Sequence, residues 1–255
     1  MKPLFLKPFP FAGNLLISLT VLCFILISCG GGDDDEVSPT TNNNNNNSNK
    51  NPSQVVTKTV EDVLSNTYKT VVIGDQEWMA ENLTTTRYND GTDIANITDN
   101  TSWTSQTGGA YAWYNNDFDE YGSVYGALYN WHAVNTGKLC PAGWHVPTDE
   151  EWTELTDFLG GAEIAGDKLK ELGGVAWGNP FSGATNETGF TALPGGFRLH
   201  TTGGFGGLET TGYWWSSTAA SQNSGHMRYM DYVSKNVYAD GANKGAGFCV
   251  RCVKD

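Results

Sequence analysis

The chain has 255 residues, of which 39% are hydrophobic and only 17% charged, with 31 Gly, 9 Trp, 11 Tyr and 11 Phe. That content is too aromatic for a disordered chain and too poor in charge for a coiled coil; it suits short strands joined by turns. The net charge of -13 argues against nucleic acid, whose phosphates need a basic face, and against simple electrostatic docking on an anionic bilayer.

Lys2 and Lys7 form a positive leader, followed by the apolar run Leu15 to Ile27. This run is too short to span a hydrocarbon core, which needs about 20 residues. It ends in Leu26-Ile27-Ser28-Cys29, which resembles a bacterial lipobox. The resemblance implies a signal peptide over residues 1–28, cleaved so that Cys29 becomes the lipidated (palmitate-bearing) first residue. Gly30-Gly31-Gly32-Asp33-Asp34-Asp35-Glu36 then resembles the surface-export signal of Bacteroidota lipoproteins, the plain alternative being a solvated acidic spacer. Residues 29–57, with Asn42 to Asn47 at their centre, read as a flexible linker of low complexity spanning roughly 30 Å. The expected partner of this segment is the membrane, through the lipid on Cys29, and the expected location is the outer face of the outer membrane.

Residues 58–255 carry enough apolar content for one substantial core, and no second linker interrupts them. Tyr68 to Ile73 reads as a strand, and Gly74-Asp75 as a two-residue turn into a second strand, Gln76 to Met79. Another strand is expected over Ala110 to Tyr114. At Pro147-Thr148-Asp149-Glu150-Glu151-Trp152 the pattern predicts a helix capped by Thr148, with Glu151 reaching back to complete a capping box. Trp152, Leu155, Phe158 and Leu159 share its apolar face, Gly160-Gly161 stops it, and a shorter helix is expected over Ala162 to Leu172. Strands are expected at Tyr213 to Ser217, Met227 to Tyr232 and Gly247 to Val253. The fold class is therefore α+β, with short, mostly antiparallel strands, a few helices and long loops.

Five ordered blocks carry a family likeness. They are Val72 to Leu83 (VIGDQEWMAENL), Tyr125 to Trp131 (YGALYNW), Leu139 to Trp152 (LCPAGWHVPTDEEW), Asn186 to Phe190 (NETGF) and Gly247 to Val253 (GFCVRCV). Together they resemble the Fibrobacter succinogenes major paralogous domain over nearly all of the chain from Lys69 onward. That family is similar to the formylglycine-generating-enzyme fold, a variant of the C-type-lectin-like architecture. Pro147 to Trp152 parallels the helix start there, and Gly247 to Val253 its closing strand. The resemblance implies a fold; it brings no established activity.

After cleavage and lipidation, Cys140, Cys249 and Cys252 remain, and an exported protein permits disulfides. On a strand, Cys249 and Cys252 point to opposite faces. Phe248 and Val250 share the face of Cys252, while Arg251 shares that of Cys249. With the apolar face buried, Cys140–Cys252 is the expected bridge, and it agrees with the Ser that family members often carry where Cys249 stands. A Cys-x-x-Cys redox or zinc site is the alternative. The first needs a helix N-terminus and the second two further ligands at suitable spacing, and neither is visible.

No catalytic constellation emerges. The related oxidases use a reactive cysteine pair whose motif is absent, and His132, His145, His200 and His226 lack metalloprotease spacing. There is no nucleophile elbow and no phosphate-binding glycine loop. Asp117 and Asp119, with Asn115 and Asn116 beside them, are candidate oxygen ligands for a structural calcium, although the segment is no EF-hand. Otherwise no cofactor is implied. The nine Trp are mostly expected in the core, with Tyr213, Trp214 and Tyr229 as candidates for a binding face. The expected function is a surface lipoprotein whose lectin-like domain binds a glycan or a protein ligand without catalysis. The alternatives are an oxidase of the formylglycine-generating type and a structural surface component.

Overall fold

A computed structural model of the chain describes residues 57–178 and 183–255. The leader, Cys29 and nearly all of the asparagine-rich linker lie outside the described residues. The first strands are β1 (Thr57–Glu61), β2 (Thr67–Ile73), β3 (Gln76–Met79), β4 (Ala95–Asn96), β5 (Ala110–Ala112), β6 (Leu128–Asn130) and β7 (Trp144–His145). They are followed by β8 (Gly195–Arg198), β9 (Phe205–Leu208), β10 (Thr211–Ala219), β11 (Ser224–Asp231), β12 (Tyr238–Asn243), β13 (Gly247–Phe248) and β14 (Val253–Lys254). The helices are α1 (Asn100–Thr104), α2 (Ser123–Tyr125), α3 (Trp131–Val134), α4 (Asp149–Phe158) and α5 (Ala162–Leu169).

One sheet runs β1-β2-β3-β14-β7; the other runs β12-β11-β10-β8-β13-β6-β5-β4, with β9 added to β8. Every pairing is antiparallel except β10 with β8 and β4 with β5. The result is a mixed fold, mostly strands with a few helices, as the turn-rich and aromatic-rich composition implies.

The local rules act where the sequence states them clearly. β2 alternates exposed and buried residues, and Gly74 takes φ +63° at the turn that pairs Ile73 with Gln76. Thr148 accepts from the Glu151 N–H while the Glu151 carboxylate accepts from the Thr148 N–H, which is the expected capping box. At the other end of α4, Gly160 and Gly161 take φ +97° and +108°, and their N–H groups donate to Asp157 and Thr156. That pattern is a Schellman stop. α5 ends at Leu169, three residues short of the expected Leu172, because Lys170 leaves helical geometry.

The largest departure is the closing segment. Gly247 to Val253 is not one strand: β13 belongs to the second sheet and β14 to the first, and Cys249 to Cys252 cross between them. On the way, Cys249 exchanges bonds with Tyr213 and Trp215, Val250 accepts from Leu83, and Cys252 accepts from Met79. Both faces of this crossing are covered, so Cys249 and Arg251 are as fully buried as Val250 and Cys252. Cys140 and Cys252 form the disulfide.

Two buried arginines, Arg251 and Arg198, are held by carbonyl and amide oxygens. Arg251 donates from Nε to Asn82 Oδ1 (2.7 Å) and from its terminal nitrogens to the carbonyls of Met79, Phe190 and Thr191, lying over the Phe190 ring. Arg198 likewise holds the carbonyls of Gly203, Ile97 and Thr98 and the side chain of Asn100, between the rings of Trp103 and Phe205. Lys170 donates to Ser234 O. Burial lowers the pKa of both guanidinium groups, yet carbonyl dipoles on every side keep them charged.

His145 of β7 lies 2.7 Å from Asp255 and 2.8 Å from Glu151, so it ties the start of α4 to the C-terminal residue. Burial works against its charge, but the hydrogen bonds and charges of Asp255 and Glu151 outweigh it and the pKa is raised. A folded pKa above the unfolded value of about 6.5 gives stability that is fully present below that value. It is lost as pH rises through the folded pKa. Urea unfolding across this range should show the loss, and His145→Gln should flatten it; an unchanged slope in the variant would sink the assignment.

Candidate functional site

The expected binding face does not form as a set of exposed rings. β10 is a central strand covered on both sides, so Trp214 and Trp215 point in opposite directions and both are buried. Trp214 is 0% exposed, packs beside Trp152, and donates to Asn82 Oδ1. Tyr213 and Tyr229 face each other across β10 and β11, and Tyr229 faces Tyr238 on β12. The rings stack in the order Tyr238, Tyr229, Tyr213, Phe248, at 4.6, 5.6 and 5.0 Å. Each face of Tyr213 and Tyr229 is therefore taken by a neighbour, and only ring edges remain for a ligand.

Asp117 and Asp119 lie on the turn that follows β5. Asp117 spends its carboxylate capping the Glu120 N–H, and Asn116 donates to Thr98 O. Among the described residues, no three His, Cys, Asp or Glu side chains are grouped to hold a metal ion. Cys249 is buried beside Tyr125 O, and burial pushes its thiol up to about 12. With Cys140 and Cys252 bridged, no reactive cysteine pair remains among the described residues.

The site that does form lies elsewhere. Eight of the nine Trp are buried; the ninth, Trp113, is partly exposed at the end of β5. After it the chain turns sharply. Asn115 and Asn116 take φ +50° and +60°, and Phe118–Gly122 winds into a π-helical turn capped by Asp117. This turn lifts Phe118 to 47% exposure and sets its ring edge-on to Trp113 at 4.8 Å, with Tyr111 on the other side of Trp113 at 5.2 Å. Gly122 is required beneath them, because a Cβ there would meet the Trp113 ring at 2.7 Å and the Phe118 ring at 2.8 Å.

The opposing wall is the β1–β2 turn and the segment from Ala80 to Thr84. Asp62 organises that turn, accepting from the N–H groups of Leu64 and Asn66, the Asn66 amide and the Tyr68 hydroxyl. Between the walls lies a cleft of about 450 Å³ that Phe118 lines; Trp113 lines a neighbouring hollow of about 320 Å³, and the two share Asn66, Thr84 and Phe118. Non-glycine residues in the left-handed region gather at its border: Ser65, Asn115, Asn116 and the β-branched Thr191. Each such residue costs about 1–3 kcal/mol, which the surrounding contacts must offset.

Two of the five sequence blocks line this cleft, Val72 to Leu83 and Tyr125 to Trp131. Ala80, Glu81 and Asn82 line it with Gly126 and with Thr191, which follows Phe190. Asn82 and Arg251 hold its floor: Asn82 accepts from Trp214 and Arg251 and donates to Tyr125 O. The single charged lining residue is Glu81, which accepts from the Lys69 N–H and lies 3.9 Å from the Lys69 ammonium. Burial raises the Tyr68 hydroxyl well above the usual phenol range. One carboxylate and no imidazole do not make an acid–base pair, so the cleft can stack and hydrogen-bond a ligand but has no evident proton relay. Sequence reasoning missed Trp113 and Phe118. The available signal was a Trp at a strand end followed at once by the turn-forming run Asn115-Asn116-Asp117.

A family model described as Fibrobacter succinogenes major domain matches residues 71–254. No curated protein and no solved structure matches the chain.

Proposed function

The chain belongs to the Fibrobacter succinogenes major domain family, and from that premise we propose that it is a lipid-anchored surface protein that binds a ligand without turning it over. The lipobox ending in Cys29 and the acidic run after it support an outer-membrane anchor with the domain displayed outward. A lectin-like fold of the formylglycine-generating type is supported by the two segments on which that likeness rests. The helix start at Thr148 and the closing strand β14 are neighbours, β14 pairing with β7 and His145 linking Glu151 to Asp255.

The observation that carries the binding reading is the Trp113–Phe118 platform, standing in a cleft walled by hydroxyls and an amide. In a domain that buries every other Trp, an indole kept partly exposed on the hollow of about 320 Å³, against a Phe118 ring that also lines the larger cleft, marks a contact for something else. Purified polysaccharides and matrix proteins, presented to the full chain, should include at least one saturable ligand whose binding Trp113→Ala weakens about tenfold or more. Binding that ignores Trp113 but is lost in Tyr238→Ala would move the site to the tyrosine ladder and end this reading. In cells, Cys29→Ser should remove palmitate labelling and the protease sensitivity of the domain on intact cells.

A further inference from the structure

We infer that the cleft takes an internal stretch of neutral glycan chain, which rests on the binding reading above and narrows it to one ligand class. The two hollows lie side by side and share Phe118, Asn66 and Thr84, with Trp113 edge-on to Phe118 in the smaller one. A pyranose offers an apolar C–H face to such a platform and a rim of hydroxyls to the walls.

The walls match that rim. Thr67 and Thr86 bring hydroxyls, which both donate and accept, and Asn66 brings an amide oxygen; the Ser123 hydroxyl already donates to Asp119 O and that of Thr84 is bonded to the Tyr68 hydroxyl, which leaves them chiefly as acceptors. Charge then excludes the alternatives. No Lys or Arg lines either hollow, Glu81 is negative, and the sequence from residue 51 onward has twelve basic against twenty-four acidic residues. An anionic polymer would be repelled here with nothing to pair its charge. A peptide strand would need open main-chain donors, and those of Leu64 and Asn66 are already given to Asp62.

The test titrates the full chain with cello-, xylo- and manno-oligosaccharides from disaccharide to hexasaccharide. Oligogalacturonides of equal length serve as the charged comparison, and tryptophan fluorescence and calorimetry are the readouts. At least one neutral series should bind, with Kd falling about tenfold or more between disaccharide and tetrasaccharide and unchanged by EDTA. Phe118→Ala and Trp113→Ala should each weaken it about tenfold or more, the scale of one aromatic contact, while Phe118→Tyr keeps it. Absence of binding in every neutral series, or equal binding of oligogalacturonides, overturns the inference. If a matrix protein binds instead and depends on Trp113, the glycan class falls and the binding reading stands; if nothing depends on Trp113, both fall.

Discussion

Arg251→Met lowers the unfolding free energy by about 3 kcal/mol or more, since each buried acceptor left without a donor costs about 1–3 kcal/mol. Methionine fills the space of the stem, so the loss comes from what the guanidinium leaves behind. The carbonyls of Met79, Phe190 and Thr191 and one acceptor bond of Asn82 lose their donor in the interior. Apolar replacement is often harmless when both partners can be swapped, but three of these partners are main chain and cannot be. Arg251→Lys recovers only part, since an ammonium cannot reproduce a planar fork aimed at four oxygens. Urea unfolding measures the difference, and a loss below about 1 kcal/mol would show that the hub is not what holds the cleft floor.

Cys140→Ser combined with Cys252→Ser costs about 4–5 kcal/mol in the chain-entropy account, because the bridge closes a loop with a sequence separation of 112 residues. For a domain of this size that shifts the thermal midpoint on the order of 10 °C. Cys249 offers an internal control. Its thiol is buried and pushed up to about 12, so it should resist alkylation in the native protein and react only after denaturation. Non-reducing peptide mapping should find the Cys140 and Cys252 peptides joined. A Cys249–Cys252 link would overturn both the pairing and the account of the closing segment.

What could be read in the sequence was whatever a few neighbouring residues decide among themselves. The Gly74 turn, the Thr148–Glu151 capping box and the Gly160-Gly161 stop each rest on residues within four positions, and each appears as expected. The disulfide was read correctly from a premise that fails. Alternation on a continuous strand assumed one exposed face, whereas the segment crosses between two sheets and has none. The same assumption misplaced Trp214, since exposure of a strand face depends on what distant elements cover it. The cleft was out of reach for a related reason: its walls come from residues 62–68, 80–86, 111–126 and 191–193, and no local pattern announces that they meet.

The crossing segment is also the last part of the domain to leave the ribosome. Until it emerges, β3 and β7 have no strand between them, Cys140 has no partner, and the carbonyls of Met79, Phe190 and Thr191 have no donor. Neither sheet can be completed by the residues made before it, because β13 and β14 are inserted one into each. Completion of both sheets therefore waits for a single short segment that follows every other element in the chain.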